Sequence, residues 1–317
     1  MLPVRIQHDQ ITVGRHRAVA FQRTLRIPAD DGVYPLPPGL GRFPLRPVAD
    51  LGARAPAAWR RRGGAALPMY RREALWISFD GSWWRPSAVK VAVGGINALT
   101  GEPLDLRIEA GRQDYLVCPD QPWLDGVKSA GGEIRQFVAA VLGEGHSVEE
   151  QLTGSAARGG LQIVVIEPRA GLFPERPPAR RALYRDESVC YSLASPAPEM
   201  GLGVGGRMHQ EAYPDAYGWK TWDPRSATLV EVQICQAAAW PALTGEPAPP
   251  TPVDASLYTA HGFPWFDLYA ERGDLPGVEV FGGLRPVPGK DAPLTVPPWQ
   301  VAVLGHGVVA QPSCGTE

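Results

Sequence analysis

The sequence predicts a mainly β protein with two related β-sandwich- or barrel-like domains, a few short helices and Pro/Gly-rich loops. Short apolar runs of strand length, rich in Val, Ile and aromatic residues, recur along the 317 residues. The 36 Gly and 34 Pro are scattered along the chain and disfavour long helices. The sequence ALTGEP also occurs twice, at 98–103 and 242–247, which points to an internal repeat.

The predicted strands follow one another along most of the chain. In VKVAV (89–93) and VEVQI (230–234), a charged residue stands between Val residues, and this alternation is typical of a strand with one solvent-facing side. The full set of predicted strands comprises 18–27, 75–79, 88–93, 115–117, 134–141, 161–166, 229–234, 278–281 and 300–304.

Two segments carry helix signals. Residues 56–62 place Pro56 at a first-turn position and end at Gly63. Residues 254–261 offer Asp254 as a cap for free backbone N–H groups and end at Gly262. We therefore expect short helices at both places.

The two ALTGEP copies stand in similar sequence surroundings. Each follows one of the alternating strands, and each precedes a Pro-Trp pair, PWLD at 122–125 and PWFD at 264–267. This order favours duplication of a β unit of roughly 90 residues. The alternative is that T-G-E-P, which suits a tight turn, arose twice independently.

The repeat suggests a division of the chain into four parts. Residues 1–69 form an N-terminal strand and loop segment, and 70–170 form the first β domain. A Pro/Gly-rich connector occupies 171–214, and 215–317 form the second β domain.

Charge and cysteine content indicate the general class. A formal net charge of -2 with 20% charged residues argues against a nucleic-acid binder that uses a basic surface. No run of apolar residues is long enough for a membrane-spanning helix. The four widely spaced cysteines and the polar N-terminal residues indicate a soluble, cytoplasmic protein. No cofactor is predicted.

The glycines at 201–206 match the letters G-x-G-x-x-G. Dinucleotide binding by such a motif needs a strand before it and a helix after it. Here SPAPEM precedes the motif, and Pro214 would cut a following helix short. We therefore predict a flexible or tightly packed glycine loop.

Few residues support catalysis. His209, Glu211 and Asp215 lie close together in sequence and are candidates for metal ligands or for an acid–base pair. Cys118 is a candidate nucleophile if it meets His146 or His209, and Glu144 is a further candidate acid. The alternative is that these residues lie on a polar loop or in the core.

Aromatic residues offer a second kind of site. Tyr and Trp are enriched at protein contacts, and the loop at 213–222 is rich in both. The predicted contact residues are Tyr213, Tyr217, Trp219 and Trp222. The predicted structural residues, which plug the core or cap a turn in each copy, are Trp123, Asp125, Trp265 and Asp267.

The segments 84–103, 115–126, 134–154 and 201–223 resemble a family of bacterial conserved proteins of unassigned function. The resemblance runs over most of the chain and implies an independent intracellular protein. It implies no activity and no catalytic residues.

These observations favour a non-enzymatic binding or assembly protein, whose partner is a second copy or another protein. One alternative is a hydrolase, possibly metal-assisted, that uses the region around His209. The other is a carbohydrate-binding module that uses exposed Trp residues, so a small-molecule or sugar ligand remains open.

Overall fold

The computed structural model describes residues 1–177, 199–268, 273–289, 291 and 294–304. The predicted connector residues 178–198, Cys190 and Cys314 lie outside this part of the chain. Short strands dominate the described residues, which confirms the mainly β class with few short helices.

The strands in chain order are β1 (Val4–Gln7), β2 (Gln10–Val13), β3 (Arg17–Thr24), β4 (Val33–Tyr34), β5 (Gly39–Arg42), β6 (Arg46–Pro47), β7 (Ala65–Met69), β8 (Ala74–Gly81), β9 (Ser87–Val93), β10 (Ile96–Asn97), β11 (Leu116–Cys118), β12 (Trp123–Leu124), β13 (Gly126–Lys128), β14 (Glu133–Val141), β15 (Leu161–Ile166), β16 (Glu199–His209), β17 (Thr228–Gln236), β18 (Trp265–Leu268) and β19 (Val301–Leu304).

The helices are α1 (Val48–Leu51), α2 (Ala57–Arg62), α3 (Val148–Thr153), α4 (Trp240–Thr244), α5 (Ala255–Ala260) and α6 (Glu279–Gly282). Helix α2 begins after Pro56 and ends at Gly63, as its sequence predicts. Helix α5 begins after Asp254, whose carboxylate accepts hydrogen bonds from the backbone N–H groups of Ser256 and Leu257.

One large sheet contains seventeen of the described strands. Its antiparallel pairings run β8–β14–β16–β17–β15–β9–β11, and the next strand after β11 along the chain, β12, pairs back onto β8. These pairings, together with the chain connection from β11 to β12, complete a ring. The remaining two strands, β18 and β19, form a separate parallel pair.

Alternate residues of the ring strands fill one common core. In β9, the side chains of Val89, Val91 and Val93 belong to this core, as do those of Val230, Val232 and Ile234 in β17. The sequence predicts that the opposite side of these strands faces solvent, and this expectation is wrong. Lys90 has no exposed surface and Glu231 is 8% exposed, because loops cover both side chains.

Besides a small cluster of Ala74, Val138, Ala140 and Val287, two larger apolar clusters lie outside the main core. One packs α1, α2 and α4 together and contains Trp59, Trp240 and Cys235. The other contains Tyr115, Val164 and Trp222 and lies where the loop after β16 packs against β9, β11 and β15. The cluster around Trp222 lies beneath the loop that follows β16.

The glycines at 201–206 lie within β16 and not in a loop, which corrects the sequence interpretation. Neighbouring backbone approaches this strand closely. A Cβ atom on Gly203 would lie 2.4 Å from the carbonyl oxygen of His146, and one on Gly206 would lie 2.0 Å from that of Pro28. Glycine is therefore required for packing and not for phosphate binding.

Residues 278–281 also differ from the prediction of a strand. Only Val278 makes an isolated β-bridge, to Ser129, and α6 begins at the next residue. Val280 is exposed and Phe281 is buried, so the short apolar run places one aromatic residue in the core at the end of a single helical turn.

The structure does not confirm the duplication. In the first ALTGEP copy, Asn97 and Gly101 close a turn next to β10. In the second copy, Ala242, Leu243 and Thr244 belong to α4, which ends at Gly245 with φ 81°. The identical hexapeptides thus share a glycine turn but not the structure before it.

Backbone pairing also joins segments that the predicted domains separate. Strand β3 pairs with β8 along its whole length, and β7 pairs with β17 in parallel. The three boundaries between the four predicted parts stay a prediction. Within the described residues, no helix has the length and apolar character needed to cross a membrane.

Candidate functional site

The backbone of the loop after β16 is fixed by two glutamine side chains. The amide of Gln121 donates to the carbonyl of Glu211 and accepts from the N–H of Tyr213 (2.9 Å). The amide of Gln113 donates to the carbonyl of Tyr213 and accepts from the N–H of Asp215 (2.7 Å). These side-chain hydrogen bonds take the place of backbone pairing between strands and hold the loop against β11.

Asp215 anchors the aromatic part of this loop. Its Oδ2 accepts hydrogen bonds from the Tyr115 hydroxyl at 2.7 Å and from Trp222 Nε1 at 2.9 Å. Burial, followed by the bond to this carboxylate, raises the pKa of Tyr115 well above its ordinary value, so the phenol remains a donor. The predicted acid–base residue therefore has a structural role here.

The four predicted contact aromatics divide into two pairs. Trp222 is 1% exposed and Tyr213 is 7% exposed, so both belong to the interior. Tyr217 is 41% exposed and Trp219 is 39% exposed. The Tyr217 ring lies edge-on to Phe173, with ring centres 5.4 Å apart. We call Phe173, Tyr217 and Trp219 the contact patch.

His209 and Glu211 do not converge with Asp215 on one point. His209 is exposed at the end of β16, opposite Glu133 on β14, and Glu211 is held through its backbone carbonyl. In the described part of the chain, no group of three or more His, Cys, Asp or Glu side chains is arranged to hold a metal ion.

Glu144 and His146 line a different cleft, of about 50 Å³, together with Arg71 and Arg72. The Arg71 guanidinium pairs with Glu144 at 2.7 Å. A space of this size holds a few water molecules.

Cys118 lies at the end of β11 with no exposed surface. Burial raises the pKa of its thiol to about 12. The nearby Arg17 lowers this pKa but offsets the rise only partly. The thiol stays protonated at neutral pH, and this disfavours a nucleophilic role.

The residues predicted to be structural are mostly buried. Trp123 is 8% exposed and lies edge-on to Trp76, and Trp265 has no exposed surface and donates to Thr259 Oγ1. Asp125 is buried beneath Gln210, while Asp267 is exposed. The two Pro-Trp pairs thus share a buried Trp, whereas their Asp residues differ.

A cluster of charged and aromatic residues that the sequence does not reveal lies beside the contact patch. It contains His16 from the turn before β3, Trp84 and Arg85 from the turn before β9, and Glu167 and Glu175 from the segment after β15. We call these residues the Arg85 cluster. Its members come from three distant parts of the chain, so no local motif marks them.

Arg85 links this cluster to the contact patch. Its Nη1 lies 2.9 Å from Glu175 Oε1 and donates to the carbonyl of Phe173 at 3.3 Å. Its Nη2 lies 3.6 Å from Glu167 Oε2. The guanidinium therefore fixes the segment that carries Phe173.

No family model, no curated protein and no solved structure matches this chain. The resemblance to bacterial conserved proteins of unassigned function stays a prediction, and the functional interpretation depends on the geometry described above.

Proposed function

We propose that this chain is a non-enzymatic binding and assembly protein of the cytoplasm, and that its contact patch binds a second copy of the chain. The observation that carries the proposal is the exposure of Tyr217 and Trp219 on a loop whose backbone and buried neighbours are fixed. Aromatic side chains that are already ordered lose little entropy on binding. The unpaired, buried thiols of Cys118 and Cys235 favour a reducing compartment.

The structural use of the candidate catalytic groups supports binding over chemistry. Asp215 is engaged by Tyr115 and Trp222, and Glu144 is engaged by Arg71. Burial keeps the Cys118 thiol neutral. Asp215 and Glu144 would have to leave these partners before either carboxylate could act in catalysis.

The charges around the contact patch favour a second copy as the partner. Lys220 lies over the Trp219 ring at 5.7 Å, and Arg225 is exposed nearby in sequence. The Tyr217 hydroxyl donates to Asp120, and Asp223 adds a further acid. Because both signs surround the aromatic rings, a two-fold contact between copies can pair opposite charges.

Sedimentation velocity tests this proposal. We expect the natural chain to show a concentration-dependent monomer–dimer equilibrium in the micromolar range, as is usual for a small patch. Tyr217→Ala combined with Trp219→Ala should weaken the dimer by at least about tenfold, because central aromatic residues dominate such contacts. Trp299→Ala is the matched control, since Trp299 is 76% exposed in a different region.

Two results would contradict the proposal. If the natural chain remains monomeric up to high micromolar concentration, it does not bind a second copy as proposed. A dimer that survives loss of both aromatic rings, or that Trp299→Ala weakens equally, would place the contact elsewhere.

A further inference from the structure

We propose that the Arg85 cluster is a binding site for a carboxylate, and that Glu175 of the same chain occupies it. The inference does not depend on the contact patch, because none of the groups that bind the carboxylate belongs to the 213–222 loop.

The cluster combines a buried cation with an exposed anion. The Arg85 side chain is 5% exposed, whereas that of Glu175 is 68% exposed. A buried guanidinium is costly unless it is paired, and its direct charge partner at 2.9 Å comes from a surface segment. The cation thus belongs to the framework, while its anion comes from a segment with little burial of its own.

Further hydrogen-bonding groups of the Arg85 cluster are unused. The atoms His16 Nε2, Arg85 Nε and Trp84 Nε1 are buried and have no hydrogen-bond partner among the described residues. His16 Nδ1 lies 3.0 Å from the Ser82 hydroxyl. When that hydroxyl donates, Nε2 carries the proton and is a donor.

The position of Glu175 shows where a ligand carboxylate would lie. Its Oε1 meets Arg85, and its Oε2 is 3.7 Å from His16 Nε2, beyond hydrogen-bond distance. A carboxylate that is free of the chain can move closer to the histidine and satisfy both groups. The edge-on contact between His16 and Trp84, with ring centres 6.3 Å apart, holds the imidazole in place.

The negative charge of Glu167 favours a carboxylate over a phosphate as the ligand of this site. Glu167 stays 3.6 Å from Arg85 and is 19% exposed, so the site has one fixed negative charge beside its cation. A carboxylate brings a single further negative charge. A phosphate carries nearly two at neutral pH and is repelled more strongly by Glu167.

In the natural chain, Glu175 competes with any ligand. A group on a short tether has an effective concentration in the millimolar range or above. We therefore expect weak binding to the natural chain and stronger binding once the Glu175 carboxylate is removed.

The test is Glu175→Gln in the full chain, titrated with acetate, with the blocked tripeptide acetyl-Phe-Pro-Glu-amide, which copies residues 173–175, and with inorganic phosphate. Intrinsic Trp fluorescence and calorimetry report binding. We expect acetate and the tripeptide to bind at least about tenfold more tightly to Glu175→Gln than to the natural chain. Phosphate should bind more weakly than either carboxylate.

Control variants locate the site. Glu109→Gln removes another exposed surface carboxylate, 58% exposed against 68% for Glu175, and should leave carboxylate binding as in the natural chain. In the Glu175→Gln background, Arg85→Gln and His16→Ala should each abolish carboxylate binding. Two separate variants are used because a single substitution of a buried residue could act by disturbing the fold.

Each outcome is decisive. Equal affinity for acetate and tripeptide identifies a free carboxylate as the ligand, whereas clearly tighter tripeptide binding identifies a peptide. The proposal would be overturned if Glu175→Gln bound no carboxylate, or if it bound phosphate as tightly as carboxylate. It would also be overturned if carboxylate binding persisted when Arg85→Gln and His16→Ala were each added to Glu175→Gln.

Discussion

Asp125 is a buried carboxyl group with neutral partners. Its Oδ2 accepts a hydrogen bond from Gln210 Nε2 at 2.7 Å, and the Asp125 N–H donates to Gln210 Oε1. Burial raises its pKa to about 7, and the hydrogen bonds from Gln210 and Trp123 oppose this rise only partly. The folded chain therefore keeps a proton here that the unfolded chain releases near pH 4.

This difference makes stability fall with rising pH. Between about pH 4 and pH 7 the folded state binds one more proton than the unfolded state, so the free energy of unfolding decreases across that range and is lowest above it. Asp125→Asn removes the titration and keeps an oxygen for Gln210. We expect the variant to gain about 2–3 kcal/mol relative to the natural chain between pH 5 and pH 8.

Urea unfolding of both proteins at several pH values measures this gain. The difference between the two proteins isolates Asp125 from the other acids. A difference that stays constant from pH 5 to pH 8 would show that Asp125 has an ordinary pKa in the folded chain.

At the scale of single residues, the sequence indicated which residues have a structural role but not which residues they contact. The Pro-Trp-x-Asp pattern marked Trp123 and Asp125 as structural, and both are buried. Their partner Gln210 lies 85 positions away and carries no local signal. His16, Arg85 and Glu175 meet for the same reason, through strand pairings that no local sequence pattern reveals.

Among the elements, β9 depends on a buried lysine. Lys90 Nζ lies 2.9 Å from Asp105 Oδ1 and 2.7 Å from Asp114 Oδ2, and it donates to the carbonyl of Arg107. These bonds fasten the segment after β10 over the outer face of β9. The ammonium is stabilised because three oxygen atoms replace its water.

Lys90→Met should destabilise the fold strongly. The change leaves Asp114, which is 6% exposed, with only the more distant Arg112 at 4.0 Å as a cation. Breaking a buried pair in this way costs about 3–5 kcal/mol. Chemical denaturation measures the loss, and Lys220→Met, at an exposed lysine, should change the free energy of unfolding by less than about 0.5 kcal/mol.

If Lys90→Met and Lys220→Met have equally small effects, then Lys90 does not hold the segment over β9. Loss of protection from proteolysis within 104–114 in the Lys90 variant would provide independent support for the fastening role.

Element prediction worked where local chemistry determined the structure. The run 161–166 coincides with β15, and the runs 89–93 and 230–234 lie inside β9 and β17. It was wrong for the glycines of β16, because close neighbouring backbone, rather than local preference, selects glycine there. It was also wrong for 278–281, where an apolar run too short to distinguish strand from helix forms α6.

For the whole molecule, the pairings that close the ring join distant parts of the chain. Strand β12 returns to β8, and β15 lies between β9 and β17. The sequence predicts the individual strands but not this order, because each pairing depends on the fold of the rest. The repeated ALTGEP suggested two similar halves, and the two copies instead adopt different local structures.

The ring also explains how the proposed contact surface is held. Gln113 and Gln121 flank β11, a ring strand, and their amides fix the loop that carries Tyr217 and Trp219. The loop that carries Tyr217 and Trp219 is therefore fixed to a ring strand, which favours the proposed contact between two copies.

Photo-crosslinking tests the contact between two copies most directly. Tyr217 is replaced by the photoreactive residue benzoylphenylalanine, and the protein is irradiated at micromolar concentration. We predict a covalent dimer whose crosslinked peptides join residue 217 to the 213–222 loop or the 171–177 segment of a second copy. If no dimer forms, or if the crosslinks fall on unrelated surfaces at random, the contact patch does not bind a second copy.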